Sequence, residues 1–182
     1  VERISRSVED LLRISEQAQR IENTFVEGET VSEIQPLETV IRLAKRDALD
    51  ASAVDGSDAS VSTSIPPTDC RVSFELGTAV KELLVNAIQH NDADTPEVTL
   101  DLDVDRNGPP LEATIAISDN GPGIPENERK VLEEGEESPL LHGSGLGLWL
   151  VNWIVTELGG TVRIAENDPR GTVVTILVPI SE

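Results

Sequence analysis

The sequence predicts an α+β fold in which helices cover one face of a mixed, mostly antiparallel sheet. Three observations favour it: segments of helical and of strand-like apolar spacing follow each other in mixed order, neighbouring strands are joined by short turns, and no internal repeat appears. Hydrophobic residues make up 38% of the 182 residues and aromatic residues only 2%, so the core must be built from Val, Leu, Ile and Ala. The length suffices for one domain of ordinary size and an appendage.

A seven-residue apolar spacing runs through the first 27 residues. It predicts a helix with an a/d seam, and Ser7 is the only polar residue in that seam. Such a helix can lie on its own domain or join a helical bundle, and the nearly continuous seam favours a bundle that precedes the α+β domain. The seam consists of Ile4, Ser7, Leu11, Ile14, Ala18, Ile21 and Phe25.

Residues 28–60 are predicted to connect this helix to the main domain. They include a second helix with Pro36 at its first position, running to about Ala51. Its buried stripe is predicted to be Leu37, Val40, Ile41 and Ala44.

The main domain is predicted to span residues 61–182. Its helices are expected at about Phe74–His90 and Leu146–Leu158, with a shorter helical turn near Glu126–Leu132. Its strands are expected near Val61–Ile65, Val98–Val104, Leu111–Ser118, Val162–Ala165 and Thr172–Val178.

The acidic stretch from Asp101 to Glu112 has the ligand spacing of a calcium loop. Its sixth position is Arg106, where such a loop requires glycine for a sharp turn. Apolar residues also alternate with the acids, which favours a half-buried strand with its carboxylates in water.

The chain is strongly acidic, with 34 Asp and Glu against 14 Lys and Arg and a formal net charge of -20. Such a chain repels nucleic acid and anionic membranes, so neither is expected as a direct partner, although the full protein could still be attached to a membrane upstream. The acids are spread along the chain, which favours a cytoplasm of very high salt over a disordered acidic tail. The single Cys70 fits a reducing interior, and no apolar run reaches the ~20 residues of a membrane span.

Three glycines, Gly143, Gly145 and Gly147, directly precede an apolar helix. Glycines let backbone amides converge, and a helix N-terminus attracts anions, so this stretch can hold phosphate. It matches neither the Walker A pattern nor a dinucleotide fingerprint.

Two further stretches carry polar residues in regular positions. Asp119, Gly121 and Gly123 follow a predicted strand, where they can also form an ordinary tight turn. On the predicted helix before them, Glu82, Asn86 and His90 stand at i, i+4 and i+8, a polar row flanked by apolar residues that is typical of the rim of a site.

In this order, the motifs ExxxNAxxH, DxGxG and GxGLGL resemble the boxes of the GHKL ATP-binding superfamily. The terminal RGTVVTILVP is similar to the closing strand of that superfamily. The resemblance covers about Val61 to Pro179 and is closest to the catalytic domains of sensor histidine kinases, particularly haloarchaeal ones. It implies a Bergerat-type two-layer sandwich that binds ATP and Mg²⁺.

The resemblance also implies roles for individual residues. Asp119 would accept a hydrogen bond from the adenine amino group, Gly121 and Gly123 would let the backbone approach the base, and Thr172 would reach it through water. Asn86 would bind Mg²⁺, with Glu82 as a second metal-site residue or as a base. The phosphates would lie against His90, Gly143, Gly145, Leu146 and Gly147.

The chain departs from the superfamily in two places. The phenylalanine-bearing box between the glycine boxes is absent or altered in the predicted lid, residues 125–142. His142, at the end of that lid, is expected to have a structural or solvent role rather than to contact the γ-phosphate.

The sequence contains two histidines, His90 and His142, and both belong to the ATP-site motifs. A phosphoacceptor histidine is therefore expected upstream of Val1, and the heptad helix resembles the second helix of a dimerisation hairpin. These resemblances imply a homodimeric, cytoplasmic kinase whose phosphate passes to a response regulator. The alternatives are another GHKL ATPase, a protein serine kinase, or a non-enzymatic ATP-gated interaction module.

Overall fold

The computed structural model describes residues 33–54, 59–107, 110–134 and 145–182. The predicted heptad helix, the predicted lid from residue 135 onwards and Gly143 lie outside these ranges.

The described residues form four helices and seven strands. The helices are α1 (Leu37–Val54), α2 (Leu76–Gln89), α3 (Glu126–Glu134) and α4 (Gly145–Glu157). The strands are β1 (Ile34–Pro36), β2 (Ser60–Ser64), β3 (Arg71–Ser73), β4 (Glu97–Asp105), β5 (Leu111–Asp119), β6 (Thr161–Glu166) and β7 (Thr172–Ile180).

The main sheet has five strands in the order β2-β4-β5-β7-β6. The pairs β4–β5, β5–β7 and β6–β7 are antiparallel, and β2 runs parallel to β4 at one edge. The sheet is therefore mixed and mostly antiparallel, which confirms the predicted fold class. The main-domain helices and strands predicted from the periodicity are all present, with shifts of a few residues at their ends.

The hydrophobic core lies between the helices and one face of this sheet. Along the central strand β5, Ala113, Ile115 and Ile117 point into the core and are at most 2% exposed, whereas Glu112 is exposed. This period of two is the alternation that a strand covered on one face requires. Fully burying an aliphatic side chain of this size contributes ~1.5–3 kcal/mol, so the alternation fixes the register of the sheet.

Helix α1 contributes to the same core as the helices and strands of the main domain. The predicted stripe of Leu37, Val40, Ile41 and Ala44 is confirmed, because each of these side chains is at most 3% exposed. The predicted domain boundary at residue 61 stays a prediction.

One local prediction was wrong, and two short strands were missed. Pro36 is the last residue of β1 rather than the first of the helix, and it pairs with Arg71 of β3 in a separate two-stranded sheet. Proline lacks an N–H donor and is tolerated at such an edge. The first helical amide, that of Leu37, donates to the Cys70 carbonyl at 2.9 Å. Strands β1 and β3 were missed because three residues are too few to display an alternation.

The acidic stretch begins on a strand, as predicted. Asp101 and Asp103 lie on β4 and are exposed, while Leu100 and Leu102 between and beside them are buried. The described residues contain no group of three or more potential metal-ligating side chains. None of the helices in the described ranges has the length and apolarity needed to cross a membrane.

Helix α1 contains one buried hydroxyl whose removal is expected to stabilise the protein. Ser52 is 1% exposed, and its Oγ has no hydrogen-bond partner among the described residues. Such a group costs ~1–3 kcal/mol, and alanine also has a higher helix propensity than serine, by up to ~0.7 kcal/mol. We expect Ser52→Ala to raise the free energy of unfolding measured in urea.

The reverse change at the exposed neighbour, Ala53→Ser, is the matched control because it alters propensity alone. The increase in the free energy of unfolding caused by Ser52→Ala should exceed the decrease caused by Ala53→Ser. A loss of stability in Ser52→Ala would contradict the assignment of an unpaired hydroxyl.

Candidate functional site

A cavity of about 400 Å³ opens beside the carboxyl end of β5 and the start of β7. It lies between this end of the sheet and helix α2, with α3 and the first turn of α4 nearby. Its lining residues are Leu83, Asn86, Ala87, His90, Asn91, Ile117, Asp119, Pro122, Gly123, Ile124, Pro125, Glu128, Leu148, Thr172 and Val174.

Apolar side chains form the floor of the cavity. Ile117 and Val174 are cross-strand partners on β5 and β7, and Leu83 faces them from α2. All three are at most 5% exposed. The same alternation that builds the core therefore leaves an apolar slot at the end of the sheet, suited to a flat organic group.

Asp119, the last residue of β5, is the carboxylate of this slot. Its Oδ1 accepts hydrogen bonds from the backbone amides of Gly121, at 2.8 Å, and Thr172, at 3.3 Å. Burial raises the pKa of the Asp119 carboxyl above its ordinary value of 3.8, and these two hydrogen bonds oppose part of that rise. The carboxylate is thus fixed in direction and partly removed from water.

Helix α2 brings Asn86 and His90 to the cavity wall. His90 follows the last helical residue, and its backbone amide donates to the Asn86 carbonyl at 3.1 Å. The Asn86 Nδ2 is buried without a hydrogen-bond partner among the described residues. Glu82, one turn earlier, is buried at 8% exposure, and the described lining of the cavity does not include it.

The two glycines of the DxGxG motif, Gly121 and Gly123, take different places around the Asp119 carboxylate. A Cβ on Gly121 would lie 3.0 Å from Asp119 Oδ1, so this residue lets the turn close tightly on the carboxylate. Gly123 has φ +91°, a left-handed conformation that favours glycine, and it lines the cavity. Thr172, predicted to lie near the base, is 2% exposed and also lines the cavity.

Helix α4 begins within the second glycine motif, GxGLGL. Gly145, Leu146 and Gly147 form its first residues, and Gly147 is buried. The next residue, Leu148, lines the cavity. The positive end of the α4 dipole therefore lies close to the cavity, as an anion site requires.

A set of hydrogen bonds centred on the Asn120 side chain, which the sequence did not reveal, supports this end of the sheet. The Asn120 Oδ1 accepts from Asn91 Nδ2 and from the Glu97 amide, both at 2.9 Å, and Asn120 Nδ2 donates to the Thr95 carbonyl at 2.9 Å. This one side chain joins the end of α2 to the start of β4. These partners lie 23 to 29 positions away from Asn120 in the sequence, so no local sequence pattern indicates the contacts.

Sequence reasoning also missed part of the cavity itself. Ile117 and Val174 were recognisable only as inward strand positions, and a core role accounts for that pattern equally well. Asn91 and Glu128 line the cavity without belonging to a motif.

Comparison with known proteins identifies the family. The family described as histidine kinase-, DNA gyrase B- and HSP90-like ATPase matches residues 71–182, more than half of the chain. The chain belongs to this family, and the predicted ATP-binding class of the main domain is thereby confirmed.

Among curated proteins, the chain is similar to the histidine-protein kinase/phosphatase MprB of Mycolicibacterium vanbaalenii, with 42% identity over 66 residues. It is also similar to the sensor histidine kinase CitA of Klebsiella pneumoniae, with 38% identity over 71 residues. These matches cover 34% and 38% of this chain but only 14% and 13% of the relatives' own lengths. Both relatives are bacterial.

A solved structure has the same fold. It is that of the mycobacterial sensor histidine kinase MprB, with a TM-score of 0.63 and 29% sequence identity. The match covers 81% of this chain and 98% of that chain.

The raised pKa of Asp119 predicts a specific pH dependence. Because the folded-state pKa lies above the unfolded value, the folded state binds this proton more tightly. The contribution of Asp119 to stability should therefore fall as the pH rises from about 3.8 through the folded-state pKa. Measured by urea unfolding, the stability of the wild type minus that of Asp119→Asn should decrease with pH and then level off.

Taking the difference between the two proteins removes the pH dependence that their other acidic residues share. Asp103→Asn, at an exposed position on β4, is the control for removing one negative charge. If the stability of the wild type minus that of Asp119→Asn increases with pH instead, burial is not the dominant influence on the pKa of Asp119.

Proposed function

We propose that this chain is the ATP-binding catalytic portion of a sensor histidine kinase, acting in a two-component signalling system. Membership of the ATPase family and similarity to sensor kinases support this proposal. The single observation that carries it is the Asp119 carboxylate, which is partly buried at the end of an apolar slot.

In this proposal the adenine ring lies in the slot between Leu83, Ile117 and Val174. The exocyclic amino group of adenine donates to the Asp119 carboxylate, which carries no donor of its own when ionised. Gly123 and Thr172 lie beside the base. A purine without this amino group leaves the carboxylate unpaired, so the contact provides specificity as well as affinity.

The triphosphate extends from the slot towards α2 and the first turn of α4. We assign phosphate contacts to His90 and to the second glycine box: Gly143, Gly145, Leu146 and Gly147. Backbone amides at a helix N-terminus suit such an anion because they donate hydrogen bonds without adding a side chain.

The residues present also fit Mg²⁺. Asn86 lines the cavity, and its Nδ2 is buried without a hydrogen-bond partner among the described residues. Its amide oxygen is a ligand of the kind that a hard cation prefers. Glu82 would assist from the preceding turn. Bound Mg²⁺ neutralises phosphate charge, while the residues of this chain orient the nucleotide.

The adenine contact predicts a loss of affinity in Asp119→Asn. The variant keeps size and shape, but its amide can present a donor where the adenine amino group needs an acceptor. An unpaired buried group costs ~1–3 kcal/mol, so ATP affinity should fall about five- to over a hundredfold. The measurement is a titration with a fluorescent ATP analogue and Mg²⁺ in molar salt.

The exposed change Asp103→Asn is the matched control and should leave this affinity within about twofold. Equal affinities of the wild type and Asp119→Asn would remove Asp119 from the adenine site.

We further propose that the phosphoacceptor histidine lies upstream of residue 1, on the partner helix of a dimerisation hairpin to which residues 1–27 belong. Transfer of the γ-phosphate occurs in line, and His90 on the cavity wall cannot easily occupy the position opposite the leaving oxygen. The full protein would then be a homodimer that passes the phosphate to a response regulator.

The 182-residue chain should accordingly bind ATP without labelling itself from γ-labelled ATP. A longer chain extended upstream should become labelled at an acid-labile position. Acid-labile label on His90 or His142 of the short chain would contradict the assignment. Acid-stable label on serine in the longer chain would instead favour a protein serine kinase, and nucleotide-dependent shape change without any transfer would favour an interaction module.

The high net negative charge supports a second proposal, that the chain operates in a cytoplasm of high salt, as in haloarchaea. Its charge of -20 repels itself, and exposed carboxylates such as Asp101, Asp103 and Asp105 add to that repulsion along one strand. Salt at 1 M shortens the Debye length to ~3 Å and screens the repulsion.

We expect circular dichroism to record a falling melting temperature as the protein is dialysed from molar salt to ~0.05 M, where the Debye length exceeds ~10 Å. Sodium chloride and potassium chloride at equal ionic strength should act alike if screening is the cause. A melting temperature independent of salt would contradict this proposal.

A further inference from the structure

The pairing of β5 with β7 stops one residue short of Asp119. The last paired residues are Ser118 and Val173. A side chain then takes the place of a strand: Asn167 Nδ2 donates to the Asp119 carbonyl at 2.8 Å. The Thr172 amide turns to the Asp119 carboxylate instead of to its backbone. The side-chain bond from Asn167 and the backbone bond from Thr172 therefore hold Asp119 at the point where the cavity begins.

Asn167 is itself held in the turn between β6 and β7. Its backbone amide donates to the Gly171 carbonyl at 3.0 Å, and its Oδ1 accepts from the Asp168 amide at 3.1 Å. The side chain is half-buried. Asn167 therefore has a fixed position from which its Nδ2 reaches the Asp119 carbonyl.

Gly171 makes this approach possible. A Cβ at Gly171 would lie 1.9 Å from the Asp119 carbonyl oxygen, and its φ of +118° is a conformation that favours glycine. The exposed pair of Arg170 with Asp92, at 2.7 Å, ties the same turn to the loop after α2. The turn is pressed against the Asp119 peptide and cannot move away without breaking these contacts.

We propose that Asn167 is a positioning residue for nucleotide recognition, which aims the Asp119 carboxylate at the adenine amino group. This inference rests on the proposed function. Gly121 and Thr172 engage Oδ1, and no described residue donates to Oδ2, so Oδ2 remains for the base. Its direction depends on the Asp119 peptide, whose carbonyl Asn167 holds. When that bond is lost, the 3.3 Å contact from the Thr172 amide, which is already long, is expected to break and the carboxylate to turn.

Two variants remove the donated bond in different ways. Asn167→Ala deletes the side chain. Asn167→Asp keeps its size and the bond accepted from Asp168 but puts an acceptor against the Asp119 carbonyl. The exposed turn residue Asn107 provides the control variant Asn107→Ala. Circular dichroism first establishes that each variant is folded at the assay temperature.

The probes are ATP and inosine triphosphate, each titrated with Mg²⁺ in molar salt. Inosine triphosphate has the same phosphates and ribose but carries a carbonyl in place of the adenine amino group. We expect both Asn167 variants to bind ATP about five- to tenfold more weakly and inosine triphosphate about as the wild type does. The ratio of the affinity for ATP to that for inosine triphosphate should fall by the same factor in both Asn167 variants. In Asn107→Ala this ratio should stay as in the wild type.

The outcomes separate the inference from the proposed function. In one outcome the wild type prefers ATP, while the Asn167 variants keep that preference or lose affinity for both nucleotides equally. That result would overturn the positioning role alone. A wild type that does not prefer ATP over inosine triphosphate would overturn the adenine site and the positioning role with it. Selective weakening of ATP supports both.

Discussion

The partial burial of one carboxylate, that of Asp119, is the constraint on which the rest of the site depends. An ionised group in an apolar slot is stable only if hydrogen bonds replace the water that it has lost. The amides of Gly121 and Thr172 provide two such bonds, and both come from backbone that the strand ends and the glycine turn hold in place. The raised pKa of Asp119 indicates that this compensation is incomplete. A ligand that donates one more hydrogen bond would complete it, and the adenine amino group is such a donor.

The same elements that form the core also shape the cavity. Helix α2 buries Leu84 and Ile88 in the core, while Leu83 and Asn86 line the cavity. A helix with this division cannot shift along its axis without changing both faces. The backbone of Asn86 is consequently fixed together with its apolar neighbours, even though the Nδ2 atom of its side chain has no described partner. We interpret that unpaired atom as capacity kept for a ligand, since buried polar atoms are otherwise satisfied.

Much of the fold could be predicted because its signals are local. The alternation on β4 and β5 and the stripe on α1 each follow from the period of one element, and Asp119, Asn86 and His90 were found through their motifs. The short strands β1 and β3 were not found, because their pairing joins residues 34–36 to 71–73 and leaves no pattern within either segment. Asn120 and Asn167 were missed for the same reason. Their amides act on backbone far away in sequence, and an asparagine in a turn is ordinarily explained by turn chemistry alone.

The most direct test of the adenine site is a cycle that changes the protein and the nucleotide together. The affinities of the wild type and Asp119→Asn are measured by calorimetry for ATP and for inosine triphosphate. The wild type should prefer ATP, and Asp119→Asn should lose or invert that preference, because its amide can donate to the carbonyl of inosine. A coupling free energy of ~1–3 kcal/mol between the two changes is expected. A coupling of zero, with both proteins keeping the same preference, would contradict the assignment of Asp119 to the adenine amino group.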